Sequence, residues 1–372
     1  MTQTGLPTVG QRDAAGFLVQ PPIFKPTPHT SAVKSGSTVE SGTLLPENTP
    51  AGSVARAENS ESIDITKSEY ARRIRRLDST DNTRSYEIEE VDAKNTSLRS
   101  KLLGRMELDQ RVENELAQAI EQFIFTGTYD RYANDPNGWR QAVLANKSGD
   151  ANIGESIEHD DFVRWTSNGL RVPRLATLLQ RHINFNHVKS VRVFVANTGG
   201  FILSHRDYIE FKYGFSRIHL PVTTANGAVT VEENTAFWMR RGEVWFLESK
   251  VPHTAGNFAP TARYHIAIDC DPNVPLNALF DRALTPASLV ALIKRKPLPL
   301  QLDQLADRVA PIMTPLNVRS LLNVLTETLF VHELGAAEVH HVLRRSAEIS
   351  GDKTVIDKTA DLRELLIGAD QA

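Results

Sequence analysis

The chain predicts a mainly β fold: a double-stranded β-helix of the jelly-roll or cupin kind, with helices ahead of it and an all-helical domain behind it. Three observations carry this. Between residues 191 and 269, seven short segments at 191–196, 201–204, 217–223, 228–232, 236–239, 243–247 and 262–269 are separated by turn residues. Many short strands at such spacing build a two-sheet or closed β-structure. From Pro275 onward leucines and valines fall largely at three- and four-residue intervals, as helices require. The same helical period runs through 97–124, ahead of the strands.

In chain order, residues 1–60 hold seven of the nineteen prolines, with much Ser, Thr and Gly and no sustained apolar period. Such a segment buries too little surface to offset its chain entropy, so a disordered tail is expected there. The region 61–128 is read as helical, with Leu98, Leu102, Met106, Val112, Leu116, Ile120 and Phe123 on one face and Gly127 as its stop. A turn rich in Asp, Asn and Pro follows, and Trp139 opens what reads as the first strand, at 139–144. A polar loop at 146–160 carries His159, and Pro173 begins a short helix to residue 183. The jelly-roll domain is bounded at 129–272 and the helical domain at 273–372, its helices punctuated by prolines 275, 286, 297, 299, 311 and 315.

Composition narrows the function. A net charge of −3 and an isoelectric point near 6.4 give no footprint for nucleic acid or for an anionic membrane surface. The single cysteine, Cys270, rules out an intramolecular disulfide framework and suits a reducing compartment. No apolar run approaches membrane-spanning length and the N-terminus shows no signal-peptide pattern, so a cytoplasmic protein is expected. The sequence sets no oligomeric state.

The chemistry-bearing residues concentrate in the strands. In an extended chain, residues i and i+2 share a face, so His205 and Asp207 can bind one ion together. His253, just past the apolar segment 244–247 and Pro252, is the best third ligand. Two imidazoles and a carboxylate on one side of a metal leave the opposite positions open, the arrangement of mononuclear non-haem Fe(II) oxygenases. Arg217 with His219, and Arg263 with His265, each share one face of an apolar strand. A buried guanidinium needs an anionic partner, and bidentate carboxylate recognition suits it. These groups beside a metal therefore suggest a bound dicarboxylate. Ion pairs within the chain, to Asp269, Glu243 or Glu248, are the alternative.

Taken in order, HRDYIE, RIHLPV, RRGEVWFLESKVPHTA and TARYHIAID resemble the aspartyl/asparaginyl β-hydroxylase-like branch of the Fe(II)/2-oxoglutarate dioxygenases, and within it the bacterial L-proline cis-4-hydroxylase group. The likeness runs from about residue 129 to the C-terminus and is strongest over 190–270. It implies His205, Asp207 and His253 on iron and Arg263 on the distal carboxylate of 2-oxoglutarate. Arg217 and His219 match positions that hold the cosubstrate or substrate carboxylate. Arg192 and Trp139 match positions near an amino-acid substrate, and His159 is a further substrate-side candidate on its loop.

The activity so implied is hydroxylation of a free, proline-like L-amino acid with Fe(II), 2-oxoglutarate and O2, giving succinate and CO2. Hydroxylation of a peptide or protein is the runner-up. A halogenase would need a small residue in place of Asp207. A non-redox metal cupin would share the triad but have no need of Arg263, and a non-catalytic relative would be expected to lose a ligand. His332, His340 and His341, in the helical domain, show no metal-ligand pattern.

Overall fold

The computed structural model describes residues 83–127, 132–135, 138–154, 159, 161–207 and 215–368. The tail expected at 1–60 lies outside the described residues. Among the described residues thirteen strands form two sheets, and every named pair is antiparallel. In chain order they are β1 (Ile88–Asp92), β2 (Lys101–Arg105), β3 (Phe125–Thr126), β4 (Trp139–Asn146), β5 (Arg164–Trp165), β6 (Val188–Ala196) and β7 (Ser216–Thr223). Then come β8 (Ala228–Glu232), β9 (Thr235–Trp238), β10 (Glu243–Leu247), β11 (His253–Asn257), β12 (Arg263–Cys270) and β13 (Leu289–Ile293). The larger sheet runs β2-β10-β7-β12-β6-β4-β3, with β5 added on β4; the smaller runs β1-β13-β9-β8-β11.

The side-chain period of two sorts the larger sheet into two faces. On one face Val191, Val193, Val195, Ile218, Leu220, Val222, Ile266 and Ile268 are buried under α1 (Gln110–Ala119) and α2 (Pro173–His182), against Val112, Leu116, Leu175 and Leu179. Each such aliphatic side chain contributes about 1.5–3 kcal/mol on burial. The alternate positions, Arg192, Phe194, Arg217, His219, Arg263, His265 and Asp269, are buried on the opposite face, toward β8 and β11. A strand that is apolar on one face and cationic on the other is the feature of this fold that positions the site.

Behind the sheets, α3 (Leu302–Val309), α4 (Val318–Thr328), α5 (Ala336–Ser350) and α6 (Lys353–Ile367) form the helical unit. Their apolar faces join Tyr132, Trp139, Phe194, Ile202, Leu203 and Ala255 in one core. The helical unit therefore packs beside the site. No helix among the described residues is long and apolar enough to cross a membrane.

The elements differ from expectation in four places. The region 97–109 is not helical. Leu102 and Leu103 pack into different cores because the chain there is β2, paired with β10, and α1 starts only where Asp109 caps it by accepting from the Arg111 N–H. Trp139 begins the fourth strand, not the first. The run Leu289–Ile293, read as helical, is β13, held between β1 and β9. Finally, 201–204 makes only isolated bridges, whereas His253–Asn257 is a strand that its small side chains did not announce. Within β11, Gly256 is needed for space: a Cβ there would stand 2.9 Å from the Phe258 ring and 3.1 Å from Phe201 and Phe330.

Candidate active site

The backbone brings the two histidines together. His205 and His253 lie opposite each other, exchanging N–H···O bonds of 2.9 and 3.0 Å. Two further bonds fix the segment between the imidazole and carboxylate ligands: Arg206 N–H donates to Leu366 O (2.8 Å) at the end of α6, and Asp207 N–H donates to Ser249 O (2.9 Å). Each imidazole has Nδ1 on a backbone carbonyl, His205 on Leu203 O (2.9 Å) and His253 on Val251 O (3.0 Å). A carbonyl only accepts, so Nδ1 carries the proton and Nε2 presents a lone pair. Both Nε2 atoms turn toward Asp207, 3.3 Å from Oδ1 and 3.8 Å from Oδ2 respectively. The Tyr132 ring stacks on His205 at 4.7 Å and fixes its plane.

These three residues are buried, and one ligand atom from each lies within 4.8 Å of the others. Burial alone would raise the Asp207 carboxyl, but the Arg217 guanidinium beside it outweighs this and holds the group well below the usual carboxylate range. Burial pushes His253 down to about 4, so its imidazole is neutral at neutral pH. His205 Nε2 lies 3.3 Å from Oδ1, and Oδ1 accepts no hydrogen bond. Two buried lone pairs and an orphaned carboxylate oxygen converging without a proton fit a divalent cation.

The arginines divide into two kinds. Arg217 is forked between carboxylates: Nε and Nη2 donate to Asp269 at 2.7 and 3.4 Å, and Nη1 donates to Asp207 Oδ2. Arg192 donates to the same Asp269 through Nη2, and to Gln141 Oε1 at 3.3 Å through Nη1. The expectation that Arg217 and Arg192 hold ligand carboxylates thus gives way to pairing within the chain, the alternative raised above, because register sets Arg217 directly across from Asp269.

Arg263 differs. Among the described residues no carboxylate reaches it. Its Nε and Nη2 lie 3.1 and 2.9 Å from the His265 ring, and its guanidinium sits 5.1 Å over the Trp139 ring. Burial pushes Arg263 down to about 9, still charged at neutral pH. An uncompensated buried cation is a site for an anion. Beside it, His219 is held well below its ordinary value, first by burial and then by Arg217 and Arg263, and neither of its ring nitrogens has a partner. The Trp139 indole N–H is also unpartnered. His205, Asp207, His253, His219, Arg263, Arg217 and Trp139 all line one hollow, walled by Phe194, Ile202, Met239, Leu247 and Ala255.

His159 is not part of it. Its ring nitrogens face Asp161 O (2.7 Å) and Lys189 O (3.1 Å), and the Lys189 ammonium donates to its carbonyl. The residue ties the loop to the foot of β6, buried rather than displayed to a substrate. Cys270 is fully buried with its thiol pushed up by that burial, and is a packing residue. Tyr132 went unread because nothing in the turn around it marks one aromatic for stacking. The role of Asp269 depends on which strands become neighbours.

Known proteins resemble this chain over the same region. The profile of the Aspartyl/Asparaginyl beta-hydroxylase family matches residues 107–272. An L-proline cis-4-hydroxylase of Rhizobium meliloti is 26% identical over 267 residues, covering 72% of this chain and 95% of its own. An L-proline cis-3-hydroxylase of a Streptomyces species is 24% identical over 286 residues, covering 73% and 96%. Among solved structures, an oxidoreductase of the 2OG-Fe(II) oxygenase family from Burkholderia pseudomallei overlaps 44% of this chain and 78% of its own, at 9% identity and a TM-score of 0.31, too loosely to carry any argument.

A buried His-Asp-His group of this kind fits the Fe(II) centre of a 2-oxoglutarate-dependent dioxygenase. Over residues 107–272 the chain is similar to the aspartyl/asparaginyl β-hydroxylase family.

Proposed function

We propose that this enzyme hydroxylates a free L-amino acid with a proline-like side chain. The relatives named for L-proline hydroxylation align over nearly their whole length, and this supports a small substrate in the same hollow. Its walls, Trp139, Phe194, Ile202, Met239, Leu247 and Ala255, suit an apolar ring or chain. The observation that carries the cosubstrate half is the lone buried Arg263 cation in one hollow with the metal triad.

The geometry supports the following roles. His205 Nε2, Asp207 and His253 Nε2 would hold iron, which with 2-oxoglutarate would supply the oxidation that puts one atom of O2 into a C–H bond and the other into succinate, with release of CO2. Arg263 receives the distal carboxylate of the diacid, which gives the cation its missing partner. His219 and the Trp139 N–H, both buried without partners, offer further hydrogen bonds to the acid groups entering the hollow. Met239, Leu247 and Phe194 exclude water and set which C–H faces the metal, so regiochemistry is a matter of positioning.

The test is a screen of the twenty amino acids and pipecolate, following substrate-stimulated succinate release and product mass. A gain of one oxygen on a free amino acid is expected. Turnover confined to Asp- or Asn-containing peptides would overturn the free-substrate reading and leave protein hydroxylation as the better one.

A further inference from the structure

We propose that Asp269 is a positioning residue for the metal, acting through the Arg217 guanidinium to fix both the orientation and the electrostatic setting of the Asp207 carboxylate. This rests on the reading that His205, Asp207 and His253 hold the iron.

The geometry supplies a rigid connection. Arg217 and Asp269 are directly opposite on β7 and β12, in the middle of the larger sheet, so their contact is set by the sheet register. Asp207 lies outside that sheet, in the segment tied to Ser249 and flanked by the α6 contact. A guanidinium is planar and does not flex between its donors. Docking the Nε and Nη2 edge on Asp269 therefore dictates where Nη1 points, and it points at Asp207 Oδ2. With Oδ2 occupied, Oδ1 is the carboxylate oxygen left for the ion, and it is the oxygen without a donor.

Charge gives a second reason. Asp207, Arg217, Asp269 and Arg192 alternate in sign along one buried chain, and Asp269 touches both arginines. As a neutral amide, position 269 would take away a carboxylate that both guanidiniums touch, and the added positive charge would sit beside a site that must accept a dication. Arg217, released from its dock, could also turn a second N–H onto Asp207 and compete for Oδ1. Both effects weaken metal binding without touching a metal ligand. Outer partners of this kind typically change metal affinity or activity by about 10–100-fold.

The test uses the full chain, stripped of metal, and titrates Co(II) calorimetrically and by visible absorption under nitrogen. Wild-type protein binds one equivalent, and Asp269→Asn should bind one equivalent with a dissociation constant about 10–100-fold higher. The absorption envelope should change, while the Michaelis constant for 2-oxoglutarate stays nearly unchanged, since Arg263 is untouched. If the variant loses stability but keeps the wild-type Co(II) affinity and spectrum, Asp269 is only structural and the proposal is overturned. Should Asp269→Asn fail to fold, Arg217→Lys carries the test: it keeps the charge and loses the fork, so unaltered affinity overturns the proposal and a tenfold or greater loss supports it. Failure of wild-type protein to bind Co(II), or full binding by His205→Ala, would overturn the metal assignment itself and the role of Asp269 with it.

Discussion

Arg217 and Arg263 stand on adjacent strands, face the same hollow and are equally deep, yet they live in opposite electrostatic worlds. Arg217 has a carboxylate at each side of its fork. Arg263 has none among the described residues, only the His265 ring and the Trp139 face. Burial of a charge costs the same in either place; what differs is whether the fold supplies the counter-charge or leaves it to a ligand. A buried arginine is therefore not by itself a binding residue. One without a counter-charge among the described residues, as Arg263 is, is the candidate.

The largest expected effect lies at the metal end. His205→Ala, Asp207→Ala and His253→Ala should each abolish turnover and bound iron while circular dichroism stays close to wild type, because the segments that hold these residues are fixed by backbone hydrogen bonds. Asp207→Ala should also be the least stable of the three, since it takes one of the two carboxylates from Arg217. Full turnover by any of them breaks the comparison at its root.

The second prediction sets the two arginines against each other by sign. Arg217→Met should cost about 3–5 kcal/mol of unfolding free energy, because it strands buried carboxylates. Arg263→Met should leave the cosubstrate-free protein as stable as wild type or more so, because it removes a buried charge that has no counter-charge. Urea melts measure both. Equal losses would mean that Arg263 is structurally paired after all.

Added 2-oxoglutarate sharpens the same contrast. Ligand that binds only the folded state raises stability by linkage, so wild type should gain with concentration and Arg263→Ala should not. Removing one side of a buried charge pair costs about 2–5 kcal/mol, so the Michaelis constant for 2-oxoglutarate should rise about thirtyfold or more in Arg263→Ala. Arg263→Lys should lie between, keeping the charge but not the planar fork. An unchanged constant in both variants would remove Arg263 from the cosubstrate site.

Much of this was legible in the sequence. The pairing of His205 with Asp207 is local, since i and i+2 share a face in any extended chain. The cations at 192, 217 and 263 were legible as anomalies inside apolar strands. Their partners were not, because the link from Arg217 to Asp269 spans 52 positions and exists only once β7 and β12 are neighbours in one register. The same holds for β2, β11 and β13. Leu102 and Leu103 fit a helix face as well as a strand with both sides buried, His253–Asn257 has no β-branched run, and Leu289–Ile293 is an apolar stretch too short to show its period. His159 was visible as a histidine on a polar loop, but nothing nearby in sequence announces that Lys189 closes over it.

The smallest effect separates two buried histidines. His219 and His340 are alike in having no hydrogen-bond partner on either ring nitrogen among the described residues. His219 faces the hollow, where an acid ligand can complete it. His340 is buried in the helical unit on α5 and does not line the hollow, and burial with the Arg363 charge beside it pushes it down to about 4. In the unfolded chain a histidine titrates near 6.5, so below that value the unfolded state takes up a proton that the folded state refuses. Stability at this residue is therefore complete above about pH 6.5 and is lost as pH falls toward 4, by roughly 3 kcal/mol at most. His340→Leu should flatten that part of the acid limb in urea melts between pH 7 and 5, and should leave turnover at pH 7.5 unchanged. His219→Leu should instead lower turnover at pH 7.5. If His340→Leu lowers turnover as much as His219→Leu does, an unpartnered buried histidine is no guide to where the ligand sits.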